Sequence, residues 1–164
     1  MSYKTGILIM SDKGSHGERE DRSGKQIEEM LGSQFSIDYY DMIPDEKDII
    51  IQRLKLLCDE KQLDLVLTSG GTGFSLRDVT PEACMEVIEK PVPGISEAIR
   101  SVGMLKTPKA MLSRGVSGIR RKTLIINLPG SVKGGVRESL EVILPVLPHG
   151  LDTLRGDSSE CGQE

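Results

Sequence analysis

Tryptophan is absent from this 164-residue chain, and aromatic residues make up only 3% of it. Sequence-tolerant binding of single strands depends on stacking bases against aromatic faces, so a stacking platform for nucleic acid is excluded as an expectation. An excess of positive charge is missing too. With a formal net charge of -4, the chain as a whole repels a phosphate backbone, and nucleic acid is not an expected partner. Cysteine is sparse: Cys58, Cys84 and Cys161 are odd in number and far apart, which fits neither a disulfide framework nor a paired zinc spacing. Packed, reduced thiols are expected. No apolar run approaches membrane-spanning length. The segment from Met1 to Asp12 holds one strand-length apolar stretch, without the charged start, longer apolar core and cleavage site of a secretory leader. No membrane partner and a cytoplasmic location follow as expectations.

The hydrophobic share of 37% and charged share of 28% are those of a globular protein, and the length suits one domain that can bury a core. Apolar runs alternate with segments of helical period. Gly6 to Met10 predicts a central strand, Lys13 to Glu20 a charged mobile loop, and Gly24 to Leu31 a helix capped by Asp21 or Ser23. Phe35, Ile37 and Tyr39 alternate as in a half-buried strand, and a proline turn follows. Asp45 is placed to cap a helix whose apolar face carries Ile49, Ile50, Leu54, Leu57 and Cys58. Leu63 to Ser69 predicts a third strand. Pro81 opens a short helix, and Ile95 to Val102 forms another. Two strands, Met111 to Gly118 and Lys122 to Leu128, are expected to turn at Arg120 and Arg121 as a solvated hairpin. A last long helix begins at Ser131 and is stopped by Pro145 and Pro148. The domain is expected to span 1–154, with an apolar-poor tail from Arg155 to Glu164 disordered. Strands alternating with helices imply a parallel sheet covered on both faces, with ligands bound where strands end.

One such strand end dominates. Leu65 to Ser69 breaks into Gly70-Gly71-Thr72-Gly73, then Arg77-Asp78-Val79-Thr80-Pro81-Glu82. Three glycines in four residues let backbone N–H groups approach an anionic oxygen, and Thr72 adds a hydroxyl. The spacing is neither the dinucleotide fingerprint nor the Walker loop. Read alone, the loop is equally a tight turn needing positive φ, Asp45 a helix cap, Asp78 a cap or a partner of Arg77, and Asn127 and Ser113 turn residues. His16 and His149 are isolated and carry no expected function.

Taken together, Ser11-Asp12, Asp21-Arg22-Ser23-Gly24, Ile43-Pro44-Asp45-Glu46, Thr68 through Ala83, Leu112-Ser113-Arg114 and Asn127-Leu128-Pro129-Gly130-Ser131 resemble the MogA type of molybdopterin adenylyltransferase over about residues 4–150. The resemblance implies a three-layer α/β/α domain with a mostly parallel central sheet, usually a homotrimer. It implies transfer of AMP from ATP to the phosphate of molybdopterin with release of pyrophosphate, and a downstream molybdenum-insertion protein that receives the product. Asp45 and Asp78 match the family's acidic active-site positions, as catalytic residues and organisers of Mg2+. Ser69, Gly70, Gly71, Thr72 and Gly73 match its phosphate cradle. Ser113, Asn127, Pro129 and Gly130 match its nucleotide and pterin site, with Asp12 and Asp21 as walls of the crevice. Arg114 is a weaker ligand candidate through its neighbour Ser113. The rivals are a MoaB-type relative that shares the loops without always sharing the reaction, the more distant competence-protein domains, and a trimeric scaffold like the gephyrin amino-terminal domain.

Overall fold

The computed structural model describes residues 2–130 and 135–157. The chain runs β1 (Tyr3–Met10), a short α1 (Asp12–Ser15), α2 (Arg22–Met30), β2 (Phe35–Ile43) and α3 (Lys47–Lys55), which continues into a π turn over Leu56–Glu60. Then come β3 (Leu65–Ser69), α4 (Thr80–Val87), β4 (Lys90–Pro91), α5 (Pro93–Met104) and a 3-10 turn (Pro108–Leu112). β5 (Ser117–Arg120), β6 (Thr123–Leu128), α6 (Val136–Ile143) and α7 (Leu147–Arg155) complete it. The six strands lie in the order β2-β1-β3-β6-β5-β4. The first four of these pair in parallel, and β5 and β4 add an antiparallel edge.

Successive side chains of a strand face opposite sides of its sheet, so the continuous apolar runs of β1, β3 and β6 feed two cores at once. Ile7, Ile9, Leu67 and Ile126 pack with Ile27 of α2, Ile99 of α5, Leu140 of α6 and Leu151 of α7. Leu8, Met10, Val66 and Ile125 pack on the other side with Ile50 and Leu54 of α3 and Cys84 and Val87 of α4. The result is a three-layer α/β/α domain.

Several expectations shift. Part of the segment from Lys13 to Glu20 is helical, because Ser11 Oγ accepts from the Gly14 amide at 3.0 Å and starts a turn. Met111 and Leu112 belong to the 3-10 turn, not to a strand; Thr107 caps that turn and Pro108 opens it, so β5 begins only at Ser117. Pro148 does not end a helix. It occupies the first turn of α7, where a missing N–H has no partner to lose, and Leu147 and Leu151 bury that helix. Arg155 closes α7 and grips Asp64 at 2.7 and 3.0 Å. Ser131 and residues 158–164 lie outside the described residues. Arg120 is not solvated: its guanidinium holds both oxygens of Asp59, at 2.9 and 2.8 Å, on the side of the sheet remote from the glycine loop.

The strand order places the crevice. The chain passes from β1 to β2 on one side and then crosses to β3 on the other, so the loops leaving β1 and β3 part from one another at their carboxyl ends.

Candidate functional site

At this edge the backbones of three strand exits touch. Gly70 leaves β3 with φ +102°, and a Cβ there would lie 2.3 Å from the Met10 carbonyl oxygen of β1. On its other side Gly130, just past β6, comes so near that its own Cβ would be 3.2 Å from Gly70 Cα. Only glycine meets both the sign of φ and the distance at position 70. Ser69 is buried and donates its hydroxyl to the Pro129 carbonyl at 2.6 Å, which locks the exits of β3 and β6 together.

The glycine loop turns its carbonyls inward. Thr80 takes two of them, its hydroxyl bonding Gly70 O at 2.9 Å and its amide Gly71 O at 3.2 Å. Arg114 takes the next two, with its amide on Thr72 O at 2.9 Å and its Nε on Gly73 O at 2.8 Å. Among the described residues no hydrogen bond uses the N–H groups of Gly71, Thr72 or Gly73. With the carbonyls tied down, these amides are left unengaged, as the anion cradle expected from the glycine spacing requires.

Asp45 and Asp78 flank this cradle. A Cβ on Gly71 would lie 3.0 Å from Asp45 Oδ1, and one on Gly73 would lie 2.8 Å from Asp78 Oδ2. Asp45 does not cap α3, whose cap position is Glu46; its Oδ2 instead accepts from the Asp12 amide at 3.0 Å. Burial raises the Asp45 pKa; the bond from the Asp12 amide opposes this, and the negative charges of Asp12 and Asp78 add to it. Asp78 neither caps α4 nor pairs with Arg77. It accepts from the Ser75 amide at 2.9 Å and so closes its own loop. Arg77 reaches instead to Asp12, at 3.0 and 2.9 Å, and to Glu46 at 2.8 Å. That guanidinium, against a smaller opposing effect of burial, holds the Asp12 carboxyl below its ordinary range.

Two clefts open on either side of the loop and share Gly71, Asp78 and Gly130. One, of about 370 Å³, adds Thr72, Ser113 and Pro129 together with Arg100 and Lys109. The other, of about 620 Å³, adds Asp21, Asp45 and Gly70 together with Arg19 and Arg22. Each thus offers two cationic side chains beside Asp78, the one carboxylate common to both, while Asp45 lines only the second cleft; the arrangement suits two anionic substrates meeting across the loop.

The domain matches the model of the family described as "Probable molybdopterin binding domain" over residues 6–149. The chain belongs to that family. Among curated relatives, the molybdopterin adenylyltransferase of Helicobacter pylori strain 26695 is 44% identical over 163 residues, covering 97% of this chain and 92% of that one. Among solved structures, the molybdopterin biosynthesis enzyme MoaB of Thermus thermophilus superposes with a TM-score of 0.88 at 52% identity, covering 94% of this chain and 97% of that one. A MogA structure superposes with a TM-score of 0.86 at 37% identity, covering 92% and 99%.

Within this molybdopterin-binding domain, two residues expected at the site have their side chains engaged by the protein: Asn127, matched to the nucleotide and pterin site, and Asp21, expected as a wall of the crevice. The side chain of Asn127 is buried in the sheet, where Oδ1 accepts from Val116 N at 3.0 Å and Nδ2 donates to Thr68 Oγ1 and Cys84 Sγ. It braces β6 against β3 and α4. Both carboxylate oxygens of Asp21 are engaged, one capping α2 at Gly24 N and one accepting from the Tyr40 hydroxyl, so Asp21 shapes the crevice wall. Ser113 lines a cleft, but its carbonyl is held by Arg100. Arg100 and Thr80 carry no role in the sequence reading, and Arg77 enters it only as an alternative partner of Asp78. The partners of their side chains lie 10 to 65 positions away, and the local signal is the cation beside Asp78.

Proposed function

We propose that this chain is a molybdopterin adenylyltransferase: a phosphate oxygen of molybdopterin attacks the α-phosphorus of ATP, the bond to the β-phosphate breaks, and pyrophosphate leaves. The observation that carries this reading is the Gly71–Gly73 loop, whose amides have no hydrogen-bond partner among the described residues and whose flanks carry Asp45 and Asp78, between two cation-bearing clefts. Such a transition state spreads negative charge over oxygens, and catalysis consists of positioning and charge stabilisation. The cradle amides hold a phosphate oxygen, Thr72 adds a hydroxyl, and Arg100, Lys109, Arg19 and Arg22 keep two anions close together. Asp12 and Thr80 fix the geometry without contacting substrate.

Among the described residues no three His, Cys, Asp or Glu side chains gather into a metal cage. Two carboxylates fit a magnesium ion that keeps its waters and arrives with substrate phosphates, and Asp45 and Asp78 would hold it. Bound there, the ion supplies neutralisation of phosphate charge. The homotrimer, the cytoplasmic location and a downstream molybdenum-insertion protein belong to the same reading; among the described residues no helix is long and apolar enough to cross a membrane.

Incubating the chain with molybdopterin, ATP and Mg2+ should yield adenylylated pterin and pyrophosphate. Pterin binding with no turnover would favour the MoaB-type or scaffold reading. In D78N the loop keeps an acceptor for Ser75, so melting should match the wild type while transfer falls about 100-fold. Full activity in that folded variant removes Asp78 from the mechanism.

A further inference from the structure

Arg114 lies between the 3-10 turn and β5 and lines neither cleft, although its neighbour Ser113 does. Its guanidinium spans the acidic loop from end to end. Nε donates to Gly73 O at 2.8 Å and Nη2 to Asp78 O at 2.8 Å, while Nη1 pairs with the Glu82 carboxylate in the first turn of α4. Its own amide holds Thr72 O. One residue therefore fixes the carbonyls that open and close the Gly73–Asp78 segment, and ties that segment to α4.

The segment has little else to hold it from this side. Phe74 and Leu76, its large apolar side chains, are 72% and 99% exposed and contribute no packing. Its internal bonds join Asp78 N to Ser75 O, Ser75 N to the Asp78 carboxylate and, at 3.3 Å, Arg77 N to Ser75 Oγ, and these shape only the turn between the two ends. Arg77 anchors the outer arm to Asp12 and Glu46. Beyond Asp78, Thr80 ties the chain back to Gly70 and Gly71, and within the Gly73–Asp78 segment the fork of Arg114 is what holds the two end carbonyls in register and with them the Asp78 carboxylate. A lysine cannot replace it, because a single ammonium on a flexible stem cannot serve two carbonyls and a carboxylate in one planar geometry.

We propose that Arg114 is a positioning residue for adenylyl transfer: it staples both ends of the Gly73–Asp78 loop, and so sets the catalytic carboxylate against the phosphate cradle without touching substrate. The inference rests on the adenylyltransferase reading for its catalytic consequence, but not for the staple itself.

The test uses the full chain carrying R114K, with E82Q as a milder second variant that loosens one of the three guanidinium contacts and leaves the arginine in place. Amide hydrogen exchange is followed at Ser75 and Asp78. In R114K exchange should speed there while β3 and β6 exchange as in the wild type, and E82Q should fall between. Adenylyl transfer in R114K should lose about 100-fold in kcat, with KM for ATP within about threefold of the wild type. Because Arg114 acts through Asp78, R114K should add little to the loss already caused by D78N. Wild-type exchange in the R114K loop overturns the staple. Faster exchange with kcat retained overturns the catalytic role, and a raised KM with kcat unchanged makes Arg114 a ligand instead. A wild-type chain that turns nothing over sinks the adenylyltransferase reading, while exchange alone still decides whether the staple exists.

Discussion

Asp12 and Asp45 hold one another reciprocally: the amide of each donates to the carboxylate of the other, both at 3.0 Å. The exchange welds the exit of β1 to the exit of β2 and keeps two negative groups adjacent. The cost falls on Asp45, which is the more enclosed, while the guanidinium of Arg77 relieves Asp12.

That asymmetry has a consequence for stability. The native pKa of Asp45 is raised above its unfolded value, so its contribution is fully present below about pH 3.9 and is lost as pH rises through the native pKa. Near neutral pH the charge opposes folding of the free protein. D45N, which keeps an acceptor for the Asp12 amide, is therefore expected to melt above the wild type near pH 7 and to lose that advantage as the solution is acidified, while adenylyl transfer is abolished. Scanning calorimetry across that range reads the sign, and a lower melting point for D45N at neutral pH would contradict it.

Asp64 behaves in the opposite sense. Burial pushes its carboxyl up, but the bidentate Arg155 guanidinium and the Lys4 amide together outweigh that, and the pKa is lowered. Its stabilisation is present above about pH 3.9 and is lost as pH falls through the depressed native value. D64N should cost about 1–2 kcal/mol near neutral pH, allowing for partial exposure of the pair, and the difference should shrink below about pH 4. Urea titrations at the two pH values measure it.

Gly70 and Gly94 separate two reasons for a glycine. At Gly70 a methyl group meets the Met10 carbonyl and an unfavourable φ, so G70A is expected to lose about 2 kcal/mol or more. Open space surrounds Gly94 on α5, and G94A should gain up to about 1 kcal/mol. Equal effects of the two substitutions would show that the backbone contact at the strand exits is not tight.

The thiols of Cys58 and Cys84 are buried, and desolvation pushes their pKa values up to about 11 and about 12. Little thiolate exists at moderately alkaline pH. Peptide-resolved mass spectrometry should find both cysteines unmodified by iodoacetamide at about pH 8 in the native protein and alkylated once it is unfolded in urea.

Much of this architecture was legible in the chain because it depends on local pattern. The apolar runs of β1, β3 and β6 have no polar alternation to hide one face, which marks them as strands covered on both sides. The glycines of the cradle, Pro81 at the head of α4 and Asp21 as a cap follow equally from local backbone chemistry. Pattern failed where a residue serves distant partners. Asp45 reads as a cap after a proline turn, yet its carboxylate goes to Asp12, 33 positions away. Asn127 reads locally as a turn residue and by resemblance as a site residue, yet its amide is spent on Val116, just before β5, and on β3 and α4. Pro148 reads as a stop, because proline interrupts a helix from within and opens one from its first turn with the same local signal.

By itself the sequence determined the layer order, the glycine loop and the identity of the acidic residues, since spacing and side-chain chemistry act over a few positions. Only the tertiary structure decided which carboxylate is the more enclosed, which arginine is paired and which amides are left without a partner among the described residues. Those properties arise when strand exits far apart in the chain are brought within hydrogen-bond distance, and no local pattern encodes which polar group will find which.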